Sequence, residues 1–345
     1  TVFSSLIKNK KLQTALNKLK FIEPTAVQSL TIPPAIEGKD LVVQASTGSG
    51  KTLAFALPIL SIMYEVEMQE KVDYTFSLIV SPTRELAVQI KSVFESLDKN
   101  LNPVLLIGGM PSKKQQNSLE KDPRIVVGTP GRILDFLQRR LLDIRDLELL
   151  VLDEADEMFS MGFYQDIETL LSQIPEHTQG LFVSATISER IDMLAKRHLK
   201  DPIKIEGSTL EEVPPQIEHL YCNVGNQVVD KPNAVCSLID KLNPISAIIF
   251  CNTKSETEVV EAFLRRRNVN ASRLNSDLNQ RQRNKILEEI RSQKLRFLIA
   301  TDIAARGIDI DHIELVVNMG IPEQAENYVH RIGRTGRAGR AGKAI

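Results

Sequence analysis

Two short stretches carry residues whose types and spacing suit phosphate chemistry. The first is ASTGSGKT, Ala45 to Thr52. Gly48 and Gly50 let backbone N–H groups turn toward phosphate oxygens, and Lys51 can reach the β- and γ-phosphates of a nucleotide. The Thr52 hydroxyl can ligate Mg2+, and the start of the following helix adds its partial positive charge. Ser46, Thr47 and Ser49 complete the loop, with Ala45 in the place of the first glycine of the P-loop pattern. The second stretch is VLDEADEMF, Val151 to Phe159, where an apolar run ends in Asp153, Glu154, Asp156 and Glu157. A P-loop needs a carboxylate at the end of a neighbouring strand to hold Mg2+, and Asp153 takes that place by position. Glu154 suits orienting or deprotonating an attacking water. Asp156 and Glu157 are left to domain contacts or a solvated face, the solvated face being favoured for Glu157. A second glycine–lysine pair at Gly342–Lys343 is followed by Ala344 rather than a hydroxyl residue, so it is not a phosphate loop.

Strands must deliver these residues to one place. Apolar or β-branched runs predict strands at 40–44, 76–81, 104–107, 124–127, 147–152 and 181–184, and again at 218–224, 247–251, 296–300 and 314–318. They alternate with helical stretches, which predicts parallel β/α units buried on both faces. The length of 345 residues suits two such domains. KIEGSTLEEVPPQIEH, Lys204 to His219, has the glycine, proline pair and glutamates of a linker. The expected division is a first domain over 1–205, a linker at 206–216 and a second domain over 217–345.

Composition removes several classes. A net charge of −1 leaves no bulk attraction for polyanions, so any nucleic-acid contact must be local. Cys222, Cys236 and Cys251 have no zinc-type spacing and read as reduced thiols of a cytoplasmic protein. No apolar run reaches the roughly 18 residues of a membrane span.

ASTGSGKT together with DEAD at 153–156 resembles the DEAD-box ATP-dependent RNA helicases of superfamily 2, and the resemblance runs through essentially the whole chain. It implies two RecA-like domains in tandem. Since the chain stops at Ile345, just after the arginine motif, the second is expected to be incomplete. FIEPTAVQ, Phe21 to Gln28, is similar to the adenine-recognising segment of the family, with Phe3 as the upstream aromatic that packs on adenine and Gln28 reading the adenine edge. Lys20 stands where glycine is usual. SPTRELA at 81–87, Gly108–Gly109 and TPGR at 129–132 resemble the RNA-contacting segments of the first domain, which assigns RNA contacts to Pro82, Thr83, Arg84, Gly109, Thr129, Pro130, Gly131 and Arg132. Small hydroxyls, glycines and single arginines at strand ends suit clamping of a phosphodiester backbone. Thr83 and Thr129 also stand where helix caps would.

In the second domain the resemblance gives RNA contacts to Asn252, Gln280, Arg283, Thr301 and Asp302. Gly307 and Asp309 would bind ATP, Asp309 through its ribose. HRIGRTGR at 330–337 begins a run of arginines, 331, 334, 337 and 340, at three-residue spacing among glycines. Arg334 and Arg337 would act as arginine fingers on the γ-phosphoryl group. Asp156 and His330 would link the domains, and Ser184 and Thr186 of the SAT segment would couple hydrolysis to strand separation. Asn275–Ser276 and Met319–Gly320 depart from the usual His-Gly and Tyr-Asp pairs, and the second departure is expected to weaken coupling between the domains.

These residues imply an RNA-stimulated ATPase that uses ATP and Mg2+ and opens RNA locally as a two-domain clamp, acting as a monomer in the cytoplasm with no membrane contact. Aromatic residues make up 5% of the chain and tryptophan is absent, so contacts should run to phosphates and 2′-hydroxyls with little sequence preference. The alternatives are a DNA translocase and an ATP-dependent RNA clamp with poor turnover. Lys51→Ala removes the cation that meets the β- and γ-phosphates. It is expected to abolish ATP hydrolysis and weaken nucleotide binding, and unchanged turnover in a phosphate-release assay would move the nucleotide site elsewhere.

Overall fold

The computed structural model describes residues 2–45, 48–206, 217–225, 227–275, 277–305, 310, 313–322, 325–336 and 341–345. Two compact units divide the chain, Thr1–Leu210 and Glu211–Ile345.

The first unit is a seven-stranded, all-parallel sheet. Its strands are β1 (Leu41–Gln44), β2 (Ser77–Val80), β3 (Val104–Leu106), β4 (Ile125–Gly128), β5 (Leu149–Asp153), β6 (Gln179–Ser184) and β7 (Ile203–Glu206), in the spatial order β3-β4-β2-β5-β6-β1-β7. Parallel neighbours need long crossovers, and helices supply them. Among them are α4 (Lys51–Glu67), α5 (Arg84–Leu97), α6 (Ser112–Leu119), α7 (Pro130–Gln138) and α8 (Ala155–Ser160). Successive strand residues feed opposite cores: Leu41, Val43, Ile79 and Val151 face one cluster, and Val42, Leu78, Val80, Leu150 and Leu152 the other. That two-sided burial is why the strand sequences are apolar throughout.

The second unit repeats the plan with six parallel strands: β8 (Ile217–His219), β9 (Ala247–Cys251), β10 (Ala271–Leu274), β11 (Phe297–Thr301), β12 (Leu315–Asn318) and β13 (Gly342–Ala344). Their order is β10-β11-β9-β12-β13-β8. The helices that matter for the site are α13 (Gln280–Arg291), α14 (Asp302–Ala305) and α15 (Ala325–Ile332).

Three strands are absent from the sequence-based expectation. β7 (IKIE) is an edge strand exposed at three of its four positions, β10 (ASRL) is half polar, and β13 (GKA) begins at a glycine. None offers the continuous apolar run that marks a strand buried on both faces. The strand expected at 218–224 is shorter, ending at His219, and the residues that follow are exposed. Of the expected linker, 207–216 lie outside the described residues, and Glu206 is the last residue of β7.

Candidate active site and nucleic-acid interface

The phosphate loop leaves β1 and ends at Gly50, whose left-handed backbone (φ 85°) begins α4. Thr25 and Gln28 hold that end. Thr25 caps the helix Ala26–Ile36 reciprocally with Gln28, the Gln28 Oε1 accepting from the Thr25 N–H at 2.9 Å. The Gln28 Nε2 donates to the Gly50 carbonyl at 3.0 Å, and the Thr25 hydroxyl donates to the Ser49 carbonyl at 2.8 Å. A Cβ on Gly50 would stand 2.4 Å from that Nε2, so glycine is required by both its φ and its neighbour. The Gln28 amide keeps capacity for one more donated and one more accepted bond, the pair that an adenine edge takes. Thr52 is half-buried in the first turn of α4; Ser46 and Thr47 lie outside the described residues.

Phe3 needs correction. It is 4% exposed and packs in the core, so its ring offers no face to a ligand. The exposed ring of this segment is Phe21, at 43%. The family resemblance singled out both aromatics for the adenine; only tertiary packing separates a core ring from a surface ring.

Across the sheet, β5 ends at Asp153, whose carboxylate lies in a fully buried position. The Lys51 Nζ stands 2.8 Å from Glu154 Oε1 and 3.4 Å from Asp153 Oδ1. Burial alone would lower the Lys51 pKa, but Asp153 and Glu154 outweigh it and hold the ammonium charged well above its usual range. Burial pushes Asp153 up to about 6, with Lys51 opposing and Glu154 adding to the rise. Neither Asp153 oxygen has a hydrogen-bond partner. A buried carboxylate that makes no hydrogen bond and is met by the Lys51 ammonium at 3.4 Å, beside a phosphate loop, is a group a nucleotide-bound divalent cation can use. Among the described residues no group of three or more His, Cys, Asp or Glu could hold a metal. Glu154 itself, the residue that precedes α8, sits in the left-handed region (φ 55°, ψ 53°), which is costly for a non-glycine residue.

Asp156 is tied to β6 and the residues after it. Its N–H donates to Ser184 Oγ at 3.1 Å, and its Oδ2 accepts from the Thr186 N–H and hydroxyl, each at 3.1 Å. The reading of Glu157 as a solvated residue is overturned: it is buried in α8, on the helix face that packs inward.

The RNA-type segments emerge from the other half of the sheet, at the carboxyl ends of β2, β3 and β4. Pro82 and Thr83 lead into α5, with Thr83 Oγ1 accepting from the Leu86 N–H at 3.2 Å as its cap. The Arg84 guanidinium lies against the next strand's loop. A Cβ on Gly109 would meet its Nη1 at 2.4 Å, and one on Gly108 its Nη2 at 3.0 Å. Thr129 precedes Pro130 at the start of α7 without a side-chain cap bond, Gly131 has open space around it, and Arg132 lies over the Phe136 ring.

In the second unit the sequence misses the central residue. Arg331, singled out from the sequence only as one of the spaced arginines and given no role of its own, is 1% exposed. Its Nε and Nη2 bind the Asp302 carboxylate at 2.6 and 2.7 Å. Nη2 also donates to Asn252 Oδ1 at 2.9 Å, and Nη1 to the Gly320 carbonyl at 2.8 Å and Asn318 Oδ1 at 3.3 Å. The guanidinium covers the Phe250 ring, 5.3 Å from its centroid. One side chain thus joins the carboxyl ends of β9, β11 and β12, the three strands that carry Asn252, Thr301 with Asp302, and Gly320. At the Met319–Gly320 departure, a Cβ on Gly320 would stand 2.5 Å from Asn252 Nδ2, so a side chain there would require that amide to move. Arg283 donates to the Ala304 carbonyl at 2.6 Å, joining α13 to α14. His330, Arg331, Arg334 and Asp302 line a cavity of about 20 Å3. Gly307, Asp309 and Arg337 lie outside the described residues, as does the Gln280 side chain.

Residues 25–194 match the family model described as DEAD/DEAH box helicase, and residues 230–339 match the helicase conserved C-terminal domain. The chain belongs to the DEAD-box helicase family. It is 43% identical over 346 residues to the ATP-dependent RNA helicase DeaD of Buchnera aphidicola subsp. Baizongia pistaciae, covering 99% of this chain and 56% of that one. It is 41% identical to the ATP-dependent RNA helicase CshA of Listeria monocytogenes, covering 96% of this chain and 63% of that one. The chain therefore spans a little over half the length of these curated relatives. Among solved structures, S. cerevisiae Dbp5 bound to RNA and ADP BeF3 superposes with a TM-score of 0.85 at 29% identity, covering 100% of this chain and 88% of that one. A DEAD box protein from Methanococcus jannaschii is 36% identical, with a TM-score of 0.54, covering 98% and 90% of the two chains. The two RecA-like sheets of this DEAD-box chain are those of that family.

Two outcomes follow from the geometry. Gln28→Ala removes both the Gly50 tie and the amide capacity that an adenine edge could take up. ATP affinity is expected to fall about tenfold, on the scale of one lost buried hydrogen bond, and the preference for ATP over GTP to shrink. If nucleotide titrations show ATP and GTP affinities falling equally, Gln28 only supports the loop. Arg331→Ala leaves the Asp302 carboxylate without its counter-ion and should destabilise the second unit by about 3–5 kcal/mol. Arg331→Lys should recover only part of this, since a single ammonium cannot reproduce the planar fork. Urea unfolding of the three proteins side by side checks it, and coincident midpoints would show that the fork is dispensable.

Proposed function

We propose that this protein is an RNA-stimulated ATPase that hydrolyses ATP to ADP and phosphate and uses the cycle to unwind or remodel RNA locally. The carrying observation is the buried Lys51–Asp153–Glu154 cluster beside the phosphate loop, in which Lys51 is ion-paired to both carboxylates and the Asp153 oxygens make no hydrogen bond. In this reading Lys51 exchanges Glu154 for the β- and γ-phosphate oxygens. Thr52 and Asp153 would hold Mg2+, which would supply charge neutralisation to the phosphates. Freed from Lys51, Glu154 orients a water toward the γ-phosphorus and takes its proton as the new P–O bond forms. The bond to the leaving ADP oxygen breaks in the same displacement. Gln28 and Phe21 receive the adenine; Gly307, Asp309, Arg334 and Arg337 act on the nucleotide from the second domain, the arginines on the transferring γ-phosphoryl group.

RNA is bound through its backbone by Thr83, Arg84, Gly109, Thr129, Gly131 and Arg132, and in the second domain by Asn252, Gln280, Arg283, Thr301 and Asp302. Requiring both ligands to bring the domains together makes each favour the other's binding. The weak aromatic content supports little sequence preference. The same reading has the protein acting as a monomer in the cytoplasm; among the described residues no helix is long and apolar enough to cross a membrane.

Glu154→Gln keeps the size of the side chain but cannot take the proton. It should retain ATP binding, lose RNA-stimulated phosphate release by about a hundredfold or more, and trap the RNA complex. Loss of ATP binding in a fluorescent-nucleotide titration would make Glu154 a binding or metal partner instead.

A further inference from the structure

β3 is the edge strand of the first sheet. On one face it is covered by α5, whose Leu86, Ile90 and Phe94 belong to one core. On the other it is covered by α6, whose Leu119 belongs to the opposite core. Between the two helices the sheet edge lies at the bottom of a groove of about 600 Å3. The Gln115 carboxamide closes one end, accepting from the Ile107 N–H at 2.9 Å and donating to the Ile107 carbonyl at 3.0 Å. The rest stays open.

Four cations and one carboxylate line this groove: Lys91, Lys114, Lys121 and Arg124 against Asp122. In a chain of net charge −1 that is a local departure. Lys91 and Arg124 have partners in Glu95 and Glu67. Lys114 and Lys121 are exposed, and no carboxylate among the described residues forms an ion pair with either. The groove begins at Met110, the residue after Gly108–Gly109, where Arg84 packs. Lys91 lies two helical turns after Arg84, on the same side of α5. No aromatic residue lines it, and Asn100, Asn102 and Ser118 add neutral polar groups. Such a wall suits phosphates and sugar hydroxyls rather than stacked bases.

We infer that the groove along β3 is a second, sequence-independent site for RNA, receiving the strand that runs on past Gly108–Gly109. The inference rests on the proposed RNA function and adds a track beyond the family's RNA segments. Lys114 and Lys121 supply its two free charges, so it matters only for RNA long enough to reach them.

The test is direct binding of 6- and 18-nucleotide single-stranded RNAs, by fluorescence anisotropy with a non-hydrolysable ATP analogue, to the unmutated chain and to Lys114→Ala/Lys121→Ala. Both lysines are exposed, so the variant should fold; the charge-reversed pair Lys114→Glu/Lys121→Glu gives a larger effect at the same positions. Expected is an unchanged 6-mer affinity and an 18-mer affinity lowered about three- to tenfold. The salt slope for the 18-mer should fall by about 1.4, for two phosphate contacts on a single strand. Equal 18-mer affinity and slope in all three proteins overturns the inference and leaves the proposed function standing. An equal loss for both lengths also overturns it, by placing the lysines on the main track. So does an oligoglutamate peptide that binds the unmutated chain, but not the variant, while the 18-mer affinity stays unchanged; that would assign the groove to an acidic protein segment. No binding of either RNA by the unmutated chain overturns the proposed function and the inference together.

Discussion

An ammonium buried between two carboxylates is the interaction on which the first domain's site depends. Lys51 comes from the helix after β1, and Asp153 and Glu154 from the end of β5, with β6 between those strands. Burial makes the cluster responsive to ligands. An exposed pair of this kind would contribute little and would change little when phosphates arrived. Inside the fold one ammonium faces two carboxylates, an excess of buried negative charge that a divalent cation can balance while Lys51 turns to a phosphate.

The second domain has a counterpart in Arg331, but of opposite character. Lys51 has room to change partners, whereas Arg331 is saturated: its guanidinium reaches Asp302, Asn252, Asn318 and Gly320 at once. Asn252 and Asp302, two of the residues assigned to RNA, therefore have their orientations fixed by an arginine that no ligand need touch. The difference follows from chemistry, since a planar five-donor fork locks several acceptors while a point charge on a flexible stem exchanges them.

Parallel sheets place every strand's carboxyl end on one edge, and the spatial order sorts the chemistry along it. In the first domain the ends of β1, β5 and β6 carry the phosphate loop, the DEAD segment and the SAT segment. The ends of β2, β3 and β4 carry Thr83 with Arg84, Gly108–Gly109, and Thr129 with Gly131. β2 and β5 are neighbours, so the two halves meet inside one rigid sheet. Asp156, bonded to Thr186 and Ser184, ties the acidic segment to the adjacent strand in the same way.

The sequence by itself determined the parallel α/β class, most of the strands, and the phosphate-loop and DEAD positions. Strands buried on both faces must be apolar along their whole length, and a phosphate loop needs its glycines and lysine in fixed order. Both constraints are local and leave a mark in one dimension. The strands it missed, β7, β10 and β13, take their place from neighbours that are already paired rather than from their own composition. Tertiary structure alone decided which of two aromatics, Phe3 or Phe21, is a core ring, that Glu157 faces inward, and that one arginine of a regularly spaced run is buried. It also made the groove between α5 and α6, whose lysines 91, 114 and 121 belong to separate elements. Burial and convergence are properties of packing between segments far apart in the chain, and no local pattern of residue types records them.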